Sequence, residues 1–273
     1  MVRPPLNKDT TLCISLAARP SNIGTRFHNY LYDQLGIDFI YKAFTTTDIA
    51  AAIGGVRALG IRGCSVSMPF KEDVLRLVDE IEQSALAIQS VNTIVNDNGV
   101  LTASNTDYTA VQRLIAEHRL DPGKTVLIHG SGGMAKAVGS AFRDNGFHDG
   151  IVVARNETSG PELAEQLGYH WRPHIGGASA SILVNVTPVG MAGGPEELDS
   201  PFTADALADA DTVFDVVALP SETPLIVSAR NAGKHVITGA EVIALQAAEQ
   251  FERYTGVRPT PEQVAAASAF SRS

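Results

Sequence analysis

Between Thr125 and Phe142 the sequence reads TVLIHGSGGMAKAVGSAF. Val126, Leu127 and Ile128 predict a short buried strand, a glycine cluster follows at once, and Met134, Val138 and Phe142 then recur at helical spacing. Gly130, Gly132 and Ala135 fit the G-x-G-x-x-A dinucleotide fingerprint: the first glycine permits the turn, the second lets backbone approach a pyrophosphate, and the small third residue lets helix pack on strand. Unpaired N–H groups at the helix start would then face phosphate, which makes Gly130, Ser131, Gly132, Gly133, Met134 and Ala135 the candidate cofactor contacts. A second group lies upstream. Ser65-Val-Ser67-Met-Pro69-Phe-Lys71-Glu72 places two hydroxyls and a lysine where a strand ends and a helix is expected, with Pro69 fixing the local backbone. From spacing alone Lys71 is either a solvated surface lysine or a catalytic one. Asn92 and Asp107 likewise fall at element ends, where such residues are either helix and turn caps or site residues.

The elements that must hold these residues alternate. Thr11 to Ala17 reads as a buried strand, and a breaker-rich loop (Arg19 to Gly24) leads to a helix over 25–35. A strand over 39–44, a helix capped by Thr47 or Asp48 and running to about Leu59, and a third strand over 63–67 follow. Two helical segments are expected over 72–78 and 81–88, then a hairpin from Val91 to Ala103 turned by Asn98-Gly99. This is an α/β fold with mostly parallel sheets, whose ligand crevice lies beyond the carboxyl ends of the strands.

The 273 residues exceed ordinary single-domain size, so two domains of roughly 100 to 150 residues are expected. A net charge of -9 argues against nucleic-acid and anionic-membrane surfaces, and no stretch reads as a secretion signal or a membrane span. The expectation is a cytoplasmic protein acting on a small molecule. Cys13 and Cys64 sit in strand-like apolar runs and read as buried thiols.

The combined motifs resemble the shikimate dehydrogenase family. The resemblance rests on SVSMPFKE at 65–72, Val-Asn-Thr at 91–93, Asn-Thr-Asp at 105–107, Gly-Ser-Gly-Gly at 130–133, NVTPVGM at 185–191, Glu-Thr-Pro at 222–224 and Gly239 through Gln246, which together span nearly the whole chain. It implies an N-terminal substrate domain (1–104, completed by C-terminal helices 239–273), a Rossmann-type NADP domain (105–238) and a cleft between them. It implies reversible hydride transfer between NADP and a ring carbon bearing a hydroxyl, as in 3-dehydroshikimate to shikimate, with Lys71 and Asp107 as the catalytic pair. A lysine held near a carboxylate can relay the hydroxyl proton and stabilise developing alkoxide charge. Asn92, Gln246 and Ser67 match substrate contacts, Thr187 falls in the loop resembling the family's cofactor loop, and Gly239 lies where the family's chain turns back. Ser65 and Ser67 fall where the family usually has Asn and Thr.

The sequence departs from that pattern on one side of the expected pocket. The loop that resembles the family's substrate-carboxylate loop lacks both serines of its Ser-x-Ser-Pro motif, the matching positions being Asn22, Ile23, Gly24 and Thr25, and Ala218 stands where the family usually has a tyrosine. Asn22, Thr25 or Arg26 could replace the lost donors. Readings that stay open are therefore a shikimate dehydrogenase, the same chemistry on quinate, an amino analogue or another ring alcohol, and a catalytically weak NADP-binding sensor. The partner expected is a cyclic hydroxy acid, and the chain could be a monomer or a homodimer.

Gly150 to Ala154 is expected as the second strand of the nucleotide domain. No acidic residue follows it to bind a ribose 2′-hydroxyl; Arg155 does, and a guanidinium suits a 2′-phosphate, so NADP is favoured over NAD. Ser159 to Glu162 and Thr260 to Gln263 read as capping boxes. His170 and His174 invite a metal reading, but Pro173 breaks the helix that would align them and no carboxylate or cysteine accompanies them, so no metal is expected. Gln246 lies on a helix over 240–254, facing either the cleft or solvent.

Overall fold

The computed structural model describes residues 3–272. The chain divides into two compact units, Met1–Thr106 with Ala244–Ser273, and Asp107–Ile243. In the first, β1 (Thr11–Ala17), α1 (Ile23–Leu35), β2 (Phe39–Thr45), α2 (Ile49–Ala58), β3 (Gly63–Val66), β4 (Glu80–Ile81), α3 (Gln83–Leu86), β5 (Thr93–Asp97) and β6 (Val100–Ser104) follow in order. The second holds α4 (Thr106–Glu117), β7 (Val126–His129), α5 (Gly133–Asp144), β8 (Gly150–Val153), α6 (Ser159–Leu167), β9 (His170–Arg172), β10 (Ile182–Asn185), α7 (Ala204–Asp209), β11 (Thr212–Asp215), α8 (Pro224–Asn231) and β12 (His235–Thr238). The chain enters the second unit within α4, leaves it within α9 (Gly239–Thr255), and ends in α10 (Pro261–Arg272).

The first unit's sheet has the order β2-β1-β3-β5-β6-β4. β2, β1 and β3 are parallel, whereas β5 runs antiparallel to both β3 and β6, so this sheet is mixed. The hairpin turns at Asn98 and Gly99, both with positive φ (55° and 93°), as its type demands. The helices expected over 72–78 and 81–88 shrink to a 3-10 turn at Asp73–Arg76 and the short α3. The sheet edge takes the intervening backbone: Asp79 N donates to Leu101 O and Glu82 N to Ala103 O, and these groups are then lost to a helix.

Behind the sheet, α1 buries Phe27, His28, Leu31 and Tyr32 against Phe251 and Tyr254 of α9. His28 is fully buried, stacked on Tyr41 with centroids 4.4 Å apart, and neither ring nitrogen has a hydrogen-bond partner of good geometry. Burial pushes its imidazole down to about 3. The unfolded chain takes up this proton near pH 6.5 and the folded one only near 3, so this contribution to stability is intact above about pH 6.5 and is lost as pH falls through that window. The loss amounts to roughly 4 to 5 kcal/mol. His28→Phe should flatten the acid limb of stability against pH measured by urea unfolding; an unchanged limb would show that His28 does not carry it.

The second unit's sheet is wholly parallel, in the order β12-β11-β10-β7-β8-β9. Its Ile182–Asn185 strand is buried throughout, as expected of a central parallel strand with both faces covered. The box expected at 159–162 does not form: Asn156 Oδ1 instead accepts from the N–H groups of Thr158 and Ser159, each at 2.9 Å. The box at 260–263 does form, Thr260 N donating to Gln263 Oε1 at 2.9 Å and Gln263 N to Thr260 Oγ1 at 3.3 Å. Among the described residues no helix is long and apolar enough to cross a membrane.

Candidate active site

In the first unit the residues singled out by type converge through backbone pairing. Leu16 O accepts from Ser67 N and Met68 O from Ala18 N, so the turn carrying Ser67 is fastened to the end of β1. Lys71 O accepts from Val91 N at 2.8 Å, which sets the lysine beside Asn92. Asn92 is 3% exposed, and its Oδ1 accepts from Thr93 Oγ1 (2.7 Å), Thr106 N (2.8 Å) and Thr106 Oγ1 (3.2 Å). Those bonds all end on the amide oxygen, so the group Asn92 can offer a ligand is its Nδ2 donor. Thr106 Oγ1 also lies 3.3 Å from Gln246 Oε1, which places half-buried Gln246 in the same cluster. Asp107 is the next residue along the chain, in the first turn of α4.

The residues proposed to replace the missing serines fare differently. Asn22 is exposed at the start of α1 and its side chain makes no capping bond. Thr25 Oγ1 is buried without a partner, and the Arg26 guanidinium lies 4.9 Å above the Phe270 ring. Of the three, Asn22 is the exposed residue, and Thr25 and Arg26 are half-buried. Ser67 is exposed on its turn, and Ala218 is 8% exposed. Cys13 and Cys64 are free and buried; burial pushes the Cys13 thiol up to about 12, which removes it as a nucleophile near neutrality.

Sequence reasoning passed over Gln250, one helical turn beyond Gln246 on α9. It is 3% exposed, and its Nε2 donates to Thr93 Oγ1 at 2.9 Å and approaches Asn92 O and Ser65 Oγ at 3.3 and 3.4 Å. The i, i+4 spacing from Gln246 was the available signal.

The second unit carries a cavity of about 430 Å³ at the carboxyl ends of β7, β8 and β10, lined by Gly130, Ser131, Gly132, Arg155 and Thr187 among others. Gly130 has φ of 126°, and a Cβ there would lie 2.8 Å from Val186 Cγ2, so glycine is required by conformation and by space. A Cβ on Gly132 or Gly133 would meet nothing within 4 Å, which leaves the start of α5 open to a ligand. Gly133, Met134 and Ala135 make the first turn of α5, with Ala135 wholly buried, and they are not on the cavity wall. Neither is Gly239, which opens α9; a Cβ there would lie 2.4 Å from the carbonyl oxygens of Val216 and Val217. Arg155 is exposed at the rim. Wall residues that were not foreseen include His129, whose imidazole burial and Arg155 both hold below its usual range, and Glu196.

Thr187 is set by a buried relay. Asn185 Oδ1 accepts from Thr187 N (3.0 Å) and Oγ1 (2.6 Å), while its Nδ2 donates to Asp215 Oδ1 at 2.9 Å. Asp215, wholly buried, also accepts from Val217 N at 3.0 Å and Thr223 Oγ1 at 2.6 Å. Burial pushes its carboxyl above the usual range, and these three donors oppose that shift.

A parallel sheet whose strands run 3-2-1-4-5-6, with a glycine turn after its first strand and a cavity at the β7/β10 switch point, defines a Rossmann-type dinucleotide-binding protein joined to a second α/β unit. The family model for the shikimate dehydrogenase substrate binding domain matches residues 22–94. Across 268 residues the chain is 57% identical to a shikimate dehydrogenase-like protein of Haemophilus influenzae, covering 98% of this chain and 99% of that one. It belongs to the shikimate dehydrogenase family. It is also 37% identical over 250 residues to the shikimate dehydrogenase (NADP(+)) of Chlorobaculum tepidum, covering 84% of each. The solved shikimate 5-dehydrogenase of Thermus thermophilus, in complex with NADP(H) and shikimate, superposes with a TM-score of 0.85 at 26% identity, over 96% of this chain and 99% of that one.

Proposed function

We propose that this chain is an NADP-dependent oxidoreductase that interconverts a ring hydroxyl and a ring ketone on a cyclic hydroxy acid of the shikimate type. The observation that carries this reading is the fastening of Lys71 beside Asn92, in a cluster that also holds Thr106 and Gln246. In this reading the first unit holds the ring acid, through Asn92, Gln246, Ser67 and Asn22, and the second holds the cofactor.

The wall residues suit NADP. Glycine turn and open helix start accept a pyrophosphate, and the exposed Arg155 guanidinium, with no carboxylate in the matching place, suits a 2′-phosphate. When bound, NADP takes the hydride from the ring carbon. As that carbon loses its hydrogen with the bonding pair, the hydroxyl must lose its proton for the carbonyl to form. Lys71 is assigned to receive it, with Asp107 as the carboxylate of the pair. The reverse direction returns both.

A second reading of the substrate is favoured by the carboxylate side, where Gly24 and Ala218 carry no donor, Thr25 Oγ1 is buried and Arg26 packs on Phe270. A hydrogen bond to a charged group contributes about 1.5 to 3 kcal/mol, so two uncompensated losses weaken a carboxylate substrate by orders of magnitude. NADPH absorbance after mixing the protein with NADP and shikimate, with quinate and NAD alongside, decides between them. Efficient reduction of NADP by shikimate supports the first reading; reduction by another ring alcohol alone supports the second. No reduction with any ring alcohol, alongside NADP binding, would leave a cofactor-binding sensor instead.

A further inference from the structure

We infer that Gln250 is a positioning residue of the substrate pocket, supplying from α9 the side-chain amide that position 65 lacks. This rests on the function proposed above. Serine at 65 stands where the resemblance leads one to expect asparagine, so the strand end that leads into the Ser67–Lys71 turn has a hydroxyl in place of an amide. The structure brings another amide to that spot: Gln250 Nε2 lies 3.4 Å from Ser65 Oγ, 3.3 Å from Asn92 O and 2.9 Å from Thr93 Oγ1.

The orientation of the amide follows from its neighbours. Asn92 O is a backbone carbonyl and can only accept, so the nitrogen must face Asn92 and Ser65. The amide oxygen is then turned towards the other side.

Gln250 therefore ties the end of β3, the start of β5 and α9 into one rigid corner. Asn92 is held from two directions: its carbonyl faces Gln250 and Val66 N, and its side-chain oxygen faces Thr93 and Thr106. What remains to point at a ligand is Asn92 Nδ2, whose aim is set by Gln250, Thr93 and Thr106. The Gln250 amide nitrogen is committed to Thr93, Asn92 and Ser65, so it acts on the substrate through Asn92. Lys71 is fastened separately, through Val91, so loss of the Gln250 amide should disturb binding more than the proton step.

The test is steady-state kinetics on the full chain with the best ring-acid substrate. Gln250→Met keeps an unbranched side chain of similar length and removes the amide; Gln250→Glu keeps the shape and turns the donor into an acceptor that faces Asn92 O. Both should raise KM for the ring acid about tenfold while kcat stays within about threefold. Adding Ser65→Asn to Gln250→Met should bring KM back to within about threefold of wild type, because the amide returns on the strand. A thermal shift with NADP, unchanged from wild type, shows that each variant is folded. A purely structural role would lower melting temperature without moving KM. KM unmoved in both folded variants, or no recovery with Ser65→Asn, overturns the inference while leaving the function intact. A wild-type chain that turns over no ring alcohol overturns the function, and this role with it.

Discussion

Lys71→Ala should lower turnover by about a thousandfold and leave NADP affinity within about twofold. The variant keeps what holds the backbone: the bond from Val91 N ends on the Lys71 carbonyl, which alanine also has. In the proposed reaction, what is lost is the amine assigned to take the hydroxyl proton as hydride leaves, and without it alkoxide charge would build up uncompensated in the transition state. The cavity-lining residues Gly130, Ser131, Arg155 and Thr187, proposed to hold NADP, belong to the other unit and keep their own supports. Single-turnover NADPH formation would read the first effect and a fluorescence titration with NADPH the second. Full activity in the variant would remove Lys71 from the chemistry, and a matching loss of NADPH binding would point to misfolding.

Asp215→Ala should have the largest effect on stability. Three donors end on this wholly buried carboxylate, from Asn185, Val217 and Thr223; alanine strands those of Val217 and Thr223 away from water and leaves Asn185 only its longer bond to Val189 O. At about 1 to 3 kcal/mol for each orphaned buried group, a loss of roughly 3 kcal/mol or more is expected, or about 10 °C in melting temperature. The damage should also reach the cofactor cavity. Asn185, left with only the 3.3 Å bond from Nδ2 to Val189 O, is the residue whose Oδ1 fixes Thr187 on the wall, so NADP affinity should fall alongside stability. A variant that melts like wild type would show that the buried relay is dispensable.

Much of this was open to reading because local signals agreed with the final structure. The run from Val126 to Phe142 carries a strand period, a turn that needs glycine and a helix period in succession, and no tertiary contact has to override any of them. Asn98-Gly99 and Thr260–Gln263 are likewise local, since turn and cap chemistry are fixed within a few residues. The failures are non-local. A strand as short as Glu80–Ile81 has no period to detect, and it exists because β6 offers an unpaired edge. Ser159–Glu162 has the letters of a capping box, but Asn156 takes the Ser159 N–H and the Thr158 carbonyl takes that of Glu162. Asp215 hides in an apolar run whose partners come from β10 and the start of α8. Gln250 is marked in the sequence only by its i, i+4 spacing from Gln246, and its partners Thr93 and Ser65 meet it only on folding.

The first unit is built from two separated stretches of chain, with the whole of the second unit between them. During synthesis, residues 107–243 are therefore complete and can close on their own while residues 3–106 still wait for Phe251 and Tyr254 of their aromatic core. Until α9 leaves the ribosome, Phe27, Leu31 and Tyr32 lack Phe251 and Tyr254, and Arg62 lacks the Tyr254 carbonyl it binds at 3.0 Å. The half made first is thus the half finished last, and during that interval it presents an open apolar face of the kind chaperones shelter.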